Sequence, residues 1–326
     1  MEYTQPKDCN FKISRITLGT WAIGGWMWGG TDEKDSVNTV VKAIDQGITT
    51  IDTAPVYGFG KSEKLVGKGI KKYGKREDVI LATKCGLEWT DQGKVFRNSD
   101  PEKIKKETED SLKRLQTDYI DIMQVHWPDH NTPFAVTADA LLELKKEGKI
   151  RAIGVSNFSP EQMDEFRKTA PIHFCQPPYN LFERGIESDI KPYCHENEIA
   201  LLTYGALCRG LLTGKMHENT TFEGDDLRRK DPKFQGDRFK QYLNAVTELE
   251  KYAGEYHKKD IISLAVRWIL DKSVESAIWG ARKPEQVAVK NTTGWQLSET
   301  DLANIDKIIS DNVEQPVGPE FMAPPV

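Results

Sequence analysis

Asp52, Tyr57, Lys84 and His126 stand at or just beyond the ends of short apolar, β-branched runs in the first half of the chain. Together they hold what hydride addition to a carbonyl requires. A hydride arriving at the carbonyl carbon leaves negative charge on oxygen, and a positioned acid that protonates it contributes about 10²–10⁴-fold. An unperturbed phenol has a pKa of about 10, high for donation at neutral pH. A lysine ammonium beside Tyr57 is expected to lower that value, and a carboxylate partner keeps the lysine charged under partial burial. A neutral imidazole can donate a hydrogen bond to the same oxygen and orient it. Taken one at a time, each residue also has an ordinary reading. Asp52 can cap a loop, Lys84 can face solvent, His126 can be a structural histidine and Tyr57 can be packing.

The elements that must position these groups alternate along the chain. Apolar residues Val37, Val40, Val41 and Ile44 mark a helix over 35–46, with Gly47 as the left-handed residue that stops it. A strand over 48–51 follows. Helix 63–72 stops near Gly74 and leads to strand 79–83, and helix 101–115 leads to strand 120–125. A stretch over 141–147 halts at Gly148 before strand 151–155, and Pro160 opens the next helix. Further strands are expected at 173–176, 200–204 and 276–279, with helix 262–270 between the last two. With the early strand 16–18, this makes about eight strand–helix units, the pattern of a parallel (β/α)8 TIM barrel. An open doubly wound sheet would carry a Gly-rich phosphate loop after its first strand, and WAIGGWMWGG lacks that spacing. Barrel active sites form at the carboxyl ends of strands. Three consecutive strand ends, those of Asp52, Lys84 and His126, therefore share one rim.

Two segments depart from the alternation. Residues 209–242 read as a long charged loop after strand seven, and loops of that length are functional or disordered. After an amino-terminal extension and the barrel, a carboxy-terminal extension adds a helix at 301–309 and the proline-rich PVGPEFMAPPV. Residues 1–326 show no repeats or linkers, so a single domain is expected.

With 38% hydrophobic residues in 326, the chain can bury a full core. Its formal net charge of −5 argues against nucleic-acid or anionic-membrane partners. No apolar run approaches the roughly 20 residues that span a bilayer. The polar start MEYTQPKD lacks an apolar signal region, which points to a cytoplasmic protein. The 5 cysteines are scattered and suggest neither a disulfide framework nor a metal site.

The ordered motifs GTWAIGG, DTAPVYGFGKSE, LATK, RLQTDYIDIMQVHWPD, GKIRAIGVSNF, QPPYNLFER, YGALCRGLLTGK and GARKPEQ resemble the aldo-keto reductase superfamily over nearly the whole chain. The wording and the tail GPEFMAPP are most similar to bacterial general-stress-type members, which implies a stress-response role. The resemblance implies an NADP(H)-dependent reductase of small aldehydes or ketones, preferring NADP(H) over NAD(H) and acting as a monomer or weak oligomer. By the same resemblance, Ser156, Asn157 and Gln176 hold the nicotinamide carboxamide and Tyr204 stacks on its ring. The run Gly205–Lys215, including Leu207, Arg209, Gly210, Leu212 and Gly214, follows the pyrophosphate, with Arg209 and Lys215 available for charge. Gly280, Arg282, Lys283 and Gln286 fall in the segment for the 2′-phosphate. Relative to the mammalian pattern, Gly280 stands in place of a lysine, Gln286 of an arginine and Lys290 of an asparagine. Arg282 and Lys283 supply the charge instead, and an arginine fork suits a phosphate. Trp21 and Trp127 are the expected substrate residues, with Trp28 and Trp89 as further aromatic candidates.

Two other functions fit the same residues. A lysine at a barrel strand end can form an imine, making a Schiff-base lyase at Lys84, which borohydride trapping would reveal. A cofactor-sensing binding subunit of the same fold would bind NADPH without turnover.

Overall fold

The computed structural model describes residues 1–287 and 292–325, so Lys290 lies outside the described residues. Eight parallel strands close into a barrel. In chain order they are β1 (Ile16–Gly19), β2 (Thr50–Asp52), β3 (Ile80–Cys85), β4 (Ile120–Val125), β5 (Ile150–Ser156), β6 (Phe174–Gln176), β7 (Ala200–Thr203) and β8 (Ser276–Gly280). β8 pairs with β1, completing the ring. The barrel interior is filled by Ile80, Ala82, Ile122, Ala152, Phe174, Leu202 and Ile278, beneath which Phe11 stacks on Phe174. A short antiparallel pairing of Tyr3–Thr4 with Ile13–Ser14 precedes the first barrel strand.

The outer helices are α1 (Glu33–Asp45), α2 (Lys61–Tyr73), α3 (Pro101–Leu115), α4 (Phe134–Lys146), α5 (Pro160–Arg167), α6 (Ile190–Glu196), α7 (Gly236–Tyr252) and α8 (Ile261–Asp271). A ninth, α9 (Glu299–Asn312), follows the last strand. Local chemistry sets their ends. Asp32 accepts from the Asp35 amide at 2.8 Å, and Ser159 and Gln162 form a reciprocal capping box before α5. Gly47 takes φ +84°, as the stop after α1 requires. Among the described residues, no helix is long and apolar enough to cross a membrane.

The expected 209–242 loop is shorter than its charge suggested. α7 begins at Gly236, its apolar stripe running Phe239, Tyr242, Val246 and Leu249 at helical spacing. Before it, the segment packs rather than straying into solvent, with Leu227, Asp231, Lys233 and Phe234 all buried. α4 starts at Phe134, earlier than expected, because exposed Val136 interrupts the amphipathic pattern of its first turn. α6, with Pro192 inside, has no clear counterpart in the sequence expectations.

Candidate active site

Asp52 ends β2, and Lys84 lies one residue from the end of β3. Lys84 Nζ donates to Asp52 Oδ2 at 2.7 Å and to the Thr53 carbonyl at 3.0 Å. Both side chains are buried. The other carboxylate oxygen, Asp52 Oδ1, accepts from Gln176 at 2.8 Å and from Gln124 at 3.4 Å. One carboxylate therefore gathers groups from β3, β4 and β6. Tyr57 lies in the turn after β2, with its ring centre 5.0 Å from the Lys84 ammonium. His126 faces that ring edge-on at 5.8 Å, and Trp21 stacks on it at 5.7 Å and 17°.

The electrostatics follow from burial. His126 is driven well below the usual histidine value, by burial first and then by the Lys84 charge, so its imidazole is neutral. Lys84 is lowered by burial, with Asp52 opposing that effect. The expectation that lysine lowers the Tyr57 phenol does not hold in this structure. Burial, reinforced by the Asp52 charge, pushes the phenol well above its ordinary value. Asp52 sits at contact distance from the ammonium and offsets its field, leaving desolvation to dominate. The site thus holds a protonated phenol, a neutral imidazole and a buried ion pair.

Next to this cluster the ends of β5, β6 and β7 carry a second polar group. Ser156 Oγ donates to the Gln176 carbonyl at 2.8 Å. Asn157, with φ +62°, donates to the His126 carbonyl at 3.0 Å and accepts from the Tyr204 hydroxyl at 3.0 Å. Asparagine tolerates that left-handed backbone better than most residues.

Beyond Tyr204 the chain winds through left-handed residues at Gly205, Cys208, Arg209, Gly210 and Gly214. Leu207 is half-buried and Lys215 is exposed. Leu212 packs its side chain into the core, which leaves only its backbone for a ligand. Arg209 departs from expectation as well. Its guanidinium bonds Asp231 at 2.6 Å and also pairs with Glu183, which Lys233 reaches at 2.8 Å. A buried cation needs such partners, so its charge anchors the segment internally and is not free for a phosphate.

After β8, a Cβ added to Gly280 would meet no atom of the described residues within 4 Å. Gln286 Oε1 accepts from the Arg282 and Lys283 amides at 3.0 and 3.1 Å, forming a tight turn. Arg282 Nη1 donates to the Trp28 carbonyl at 2.6 Å and to that of Gly30 at 2.9 Å.

Aromatic side chains wall the space before Tyr57. Trp21, Trp26, Phe59, Trp89 and Trp127 pack around Ala54, Val56, Tyr57 and Leu87. Trp28 meets Trp21 edge-on at 5.8 Å. The carboxy-terminal segment also arrives here, which the sequence did not reveal. Lys233 holds the Gly318 carbonyl at 3.0 Å, Phe321 lies 5.6 Å from the Arg209 guanidinium, and Arg97 bonds the Pro324 carbonyl at 3.0 Å. Gln124 is the other group missed. Its signal is a polar residue two positions before His126, hence on the same face.

A buried phenol, an ion pair and a neutral imidazole thus meet at one barrel mouth, beside a group of polar side chains. The aldo/keto reductase family model matches residues 15–310. This chain belongs to the aldo/keto reductase family. It is 60% identical to aldo-keto reductase YhdN of Bacillus subtilis over 100% of this chain and 98% of that protein. It is 38% identical to the NADH-specific methylglyoxal reductase of Escherichia coli over 84% of this chain and 88% of that protein. Among solved structures, it is similar to the glycerol dehydrogenase AKR11B4 from Gluconobacter oxydans, with TM-score 0.89 and 51% identity, covering 98% of this chain and 99% of that one.

Aldo/keto reductases are oxidoreductases that use nicotinamide cofactors, and the donor set here fits one. A carboxamide needs both donors and acceptors, and Ser156, Asn157 and Gln176 carry both beside the flat Tyr204 ring, their O–H and N–H groups being bonded to one another and to Asp52, Gln124 and His126.

Proposed function

We propose that this aldo/keto reductase reduces small aldehydes and ketones to alcohols with NADPH, with Tyr57 as general acid. The observation that carries the reading is the protonated Tyr57 phenol between the Lys84–Asp52 ion pair and the neutral His126 ring. When bound, the reduced nicotinamide supplies the hydride. Ser156, Asn157 and Gln176 would hold its carboxamide, and Tyr204 would support the ring. The backbone of Gly205–Lys215 would hold the pyrophosphate, and Arg282 and Lys283 would hold the 2′-phosphate.

Tyr57 then gives its proton to the substrate oxygen as charge develops there. A raised phenol pKa keeps that proton in place until needed, and the alkoxide being formed is basic enough to take it. The Lys84 ammonium, fixed by Asp52, stabilises the phenolate left behind. His126 donates an N–H to the same oxygen and orients it.

A lyase reading asks for a neutral, accessible Lys84 amine. In this chain Nζ is buried and donates to Asp52 and Thr53, which favours reduction over imine formation.

Steady-state reduction of an aldehyde panel with NADPH tests the proposal. Tyr57→Phe should lower the rate by at least about 10²-fold while cofactor affinity survives. Near wild-type turnover in that variant would remove Tyr57 from the role of acid.

A further inference from the structure

A carboxylate only accepts hydrogen bonds, so whatever faces it must donate. Asp52 Oδ1 therefore fixes which end of the Gln176 amide meets it, and the nitrogen lies there at 2.8 Å. The second N–H of that nitrogen goes to Gln124 Oε1 at 3.3 Å, and Gln124 Nε2 points back to Asp52 Oδ1 at 3.4 Å. The three side chains close a ring in which neither amide can turn over without setting two acceptors, or two donors, against each other. Both Gln176 N–H groups are thereby spent. Its carbonyl oxygen, Oε1, takes no hydrogen bond from the described residues and is not sealed from solvent.

Gln124 reaches this ring across a neighbouring strand. It stands on β4 and Gln176 on β6, with β5 between them. In the sheet register Gln124 pairs with Gly154, and Gly154 pairs with Phe174, two residues before Gln176. Gly154 is not among the glycines with a left-handed φ, so its backbone does not ask for glycine. Space does. An added Cβ would lie 2.8 Å from Gln124 Cγ and 3.0 Å from the Phe174 carbonyl oxygen. The bare position on β5 is the passage by which the Gln124 side chain crosses toward β6.

We propose that Gln124, seated over Gly154, is a positioning residue that locks the Gln176 amide with its carbonyl toward the cofactor, so that the protein reads the N–H of a primary amide on the nicotinamide ring. Gln124 is fully buried, so it acts through Gln176 and not on the ligand itself. Without it, one Gln176 N–H loses its acceptor inside the barrel, which is costly, and the amide is free to leave this orientation. The same carboxylate that anchors Gln176 also holds Lys84, so the group that reads the cofactor and the ammonium beside Tyr57 share one support. The inference rests on the reductase reading above.

The test measures Kd for NADP+ and NAD+, each beside its 3-acetylpyridine analogue, which puts a methyl where the amide NH2 stands. Wild type should bind the preferred amide form more tightly than its acetyl form. In Gln124→Leu that gap should shrink by about 5-fold or more, equivalent to ~1 kcal/mol, through weaker binding of the amide form. Gln124→Met, of matching length, carries the same test should Gln124→Leu fail to fold. Gly154→Ala, which displaces Gln124, should shrink the gap in the same direction. Gln124→Glu should restore most of it, because the Asp52 charge keeps the new carboxyl protonated, with a C=O to accept and an O–H to donate. An unchanged gap in the folded Leu or Met variant would overturn the proposal, and so would equal weakening of both forms, which reports lost packing. Gln124→Glu no better than Gln124→Leu would overturn it as well. Wild type that binds amide and acetyl forms alike would do the same, since Oε1 then reads nothing. Wild type that binds neither dinucleotide would instead defeat the reductase reading itself.

Discussion

Arg282 shows how one side chain can serve two neighbours. Nη1 already holds the carbonyls of Trp28 and Gly30, while a guanidinium has five N–H donors in all. The remaining ones are enough to grip a 2′-phosphate. A charge-assisted bond of this kind is worth about 1.5–3 kcal/mol. Arg282→Ala should therefore weaken NADPH by roughly 10–150-fold. NADH, lacking the phosphate, should change little. Titrating both cofactors against wild type and variant decides the matter, and an equal fall for both would give Arg282 a loop-holding role alone. The relative named as NADH-specific makes this choice worth measuring.

At the scale of elements, the segment between β7 and α7 acts as a strap. Its root is held by the buried group Glu183, Arg209, Asp231 and Lys233, and its far side touches Met27. The strap and the Trp28 loop thus bridge the rim beside the proposed phosphate path. Closing such a strap over a cofactor would exclude water and strengthen electrostatics within. Release would then require opening, a step that can limit turnover. Amide hydrogen exchange with and without NADPH should show slower exchange across 214–230 when cofactor is bound. The root at Asp231–Lys233, already buried, should change less. Identical exchange in both states would reject an ordering strap and leave the role proposed for Tyr57 untouched.

Across the whole molecule, one buried acid ties stability to pH. Glu107 on α3 accepts the Gly86 amide at 2.9 Å, next to the end of β3. Burial pushes its carboxyl from 4.5 up to about 8, against the lowering effects of that amide, Lys103 and Arg114. Between those two values the folded chain holds a proton that the unfolded chain has released. Stability therefore falls as pH rises through that window, and the loss is complete above about 8. Glu107→Gln keeps an acceptor for Gly86 and removes the titration. Its Tm relative to wild type should rise by a few degrees between about pH 5 and about pH 8.5. A constant difference across that range would mean that the carboxyl is ionised in the fold.

The barrel and the meeting of Asp52, Lys84 and His126 at its rim were legible because they rest on local signals. Glycines at 47, 74 and 148 stop elements by taking a left-handed φ, and apolar spacing marks the helix faces between them. Once strands are parallel and closed, residues at their carboxyl ends must meet, which is why Asp52, Lys84, Ser156 and Gln176 gather at one mouth. Other features depend on partners far away in sequence. A charged stretch looks solvated until Glu183 is placed beside Arg209 and Lys233. The helical stripe of α7 lay hidden within that same stretch. Nothing local foretold that residues 317–325 would cross to Arg97, because proline excludes regular structure without saying where the chain goes. The Tyr57 phenol makes the same point in electrostatic form. Its neighbours were readable from residue types, but the sign of its shift depends on burial depth and on how closely Asp52 shadows Lys84, and only packing sets those.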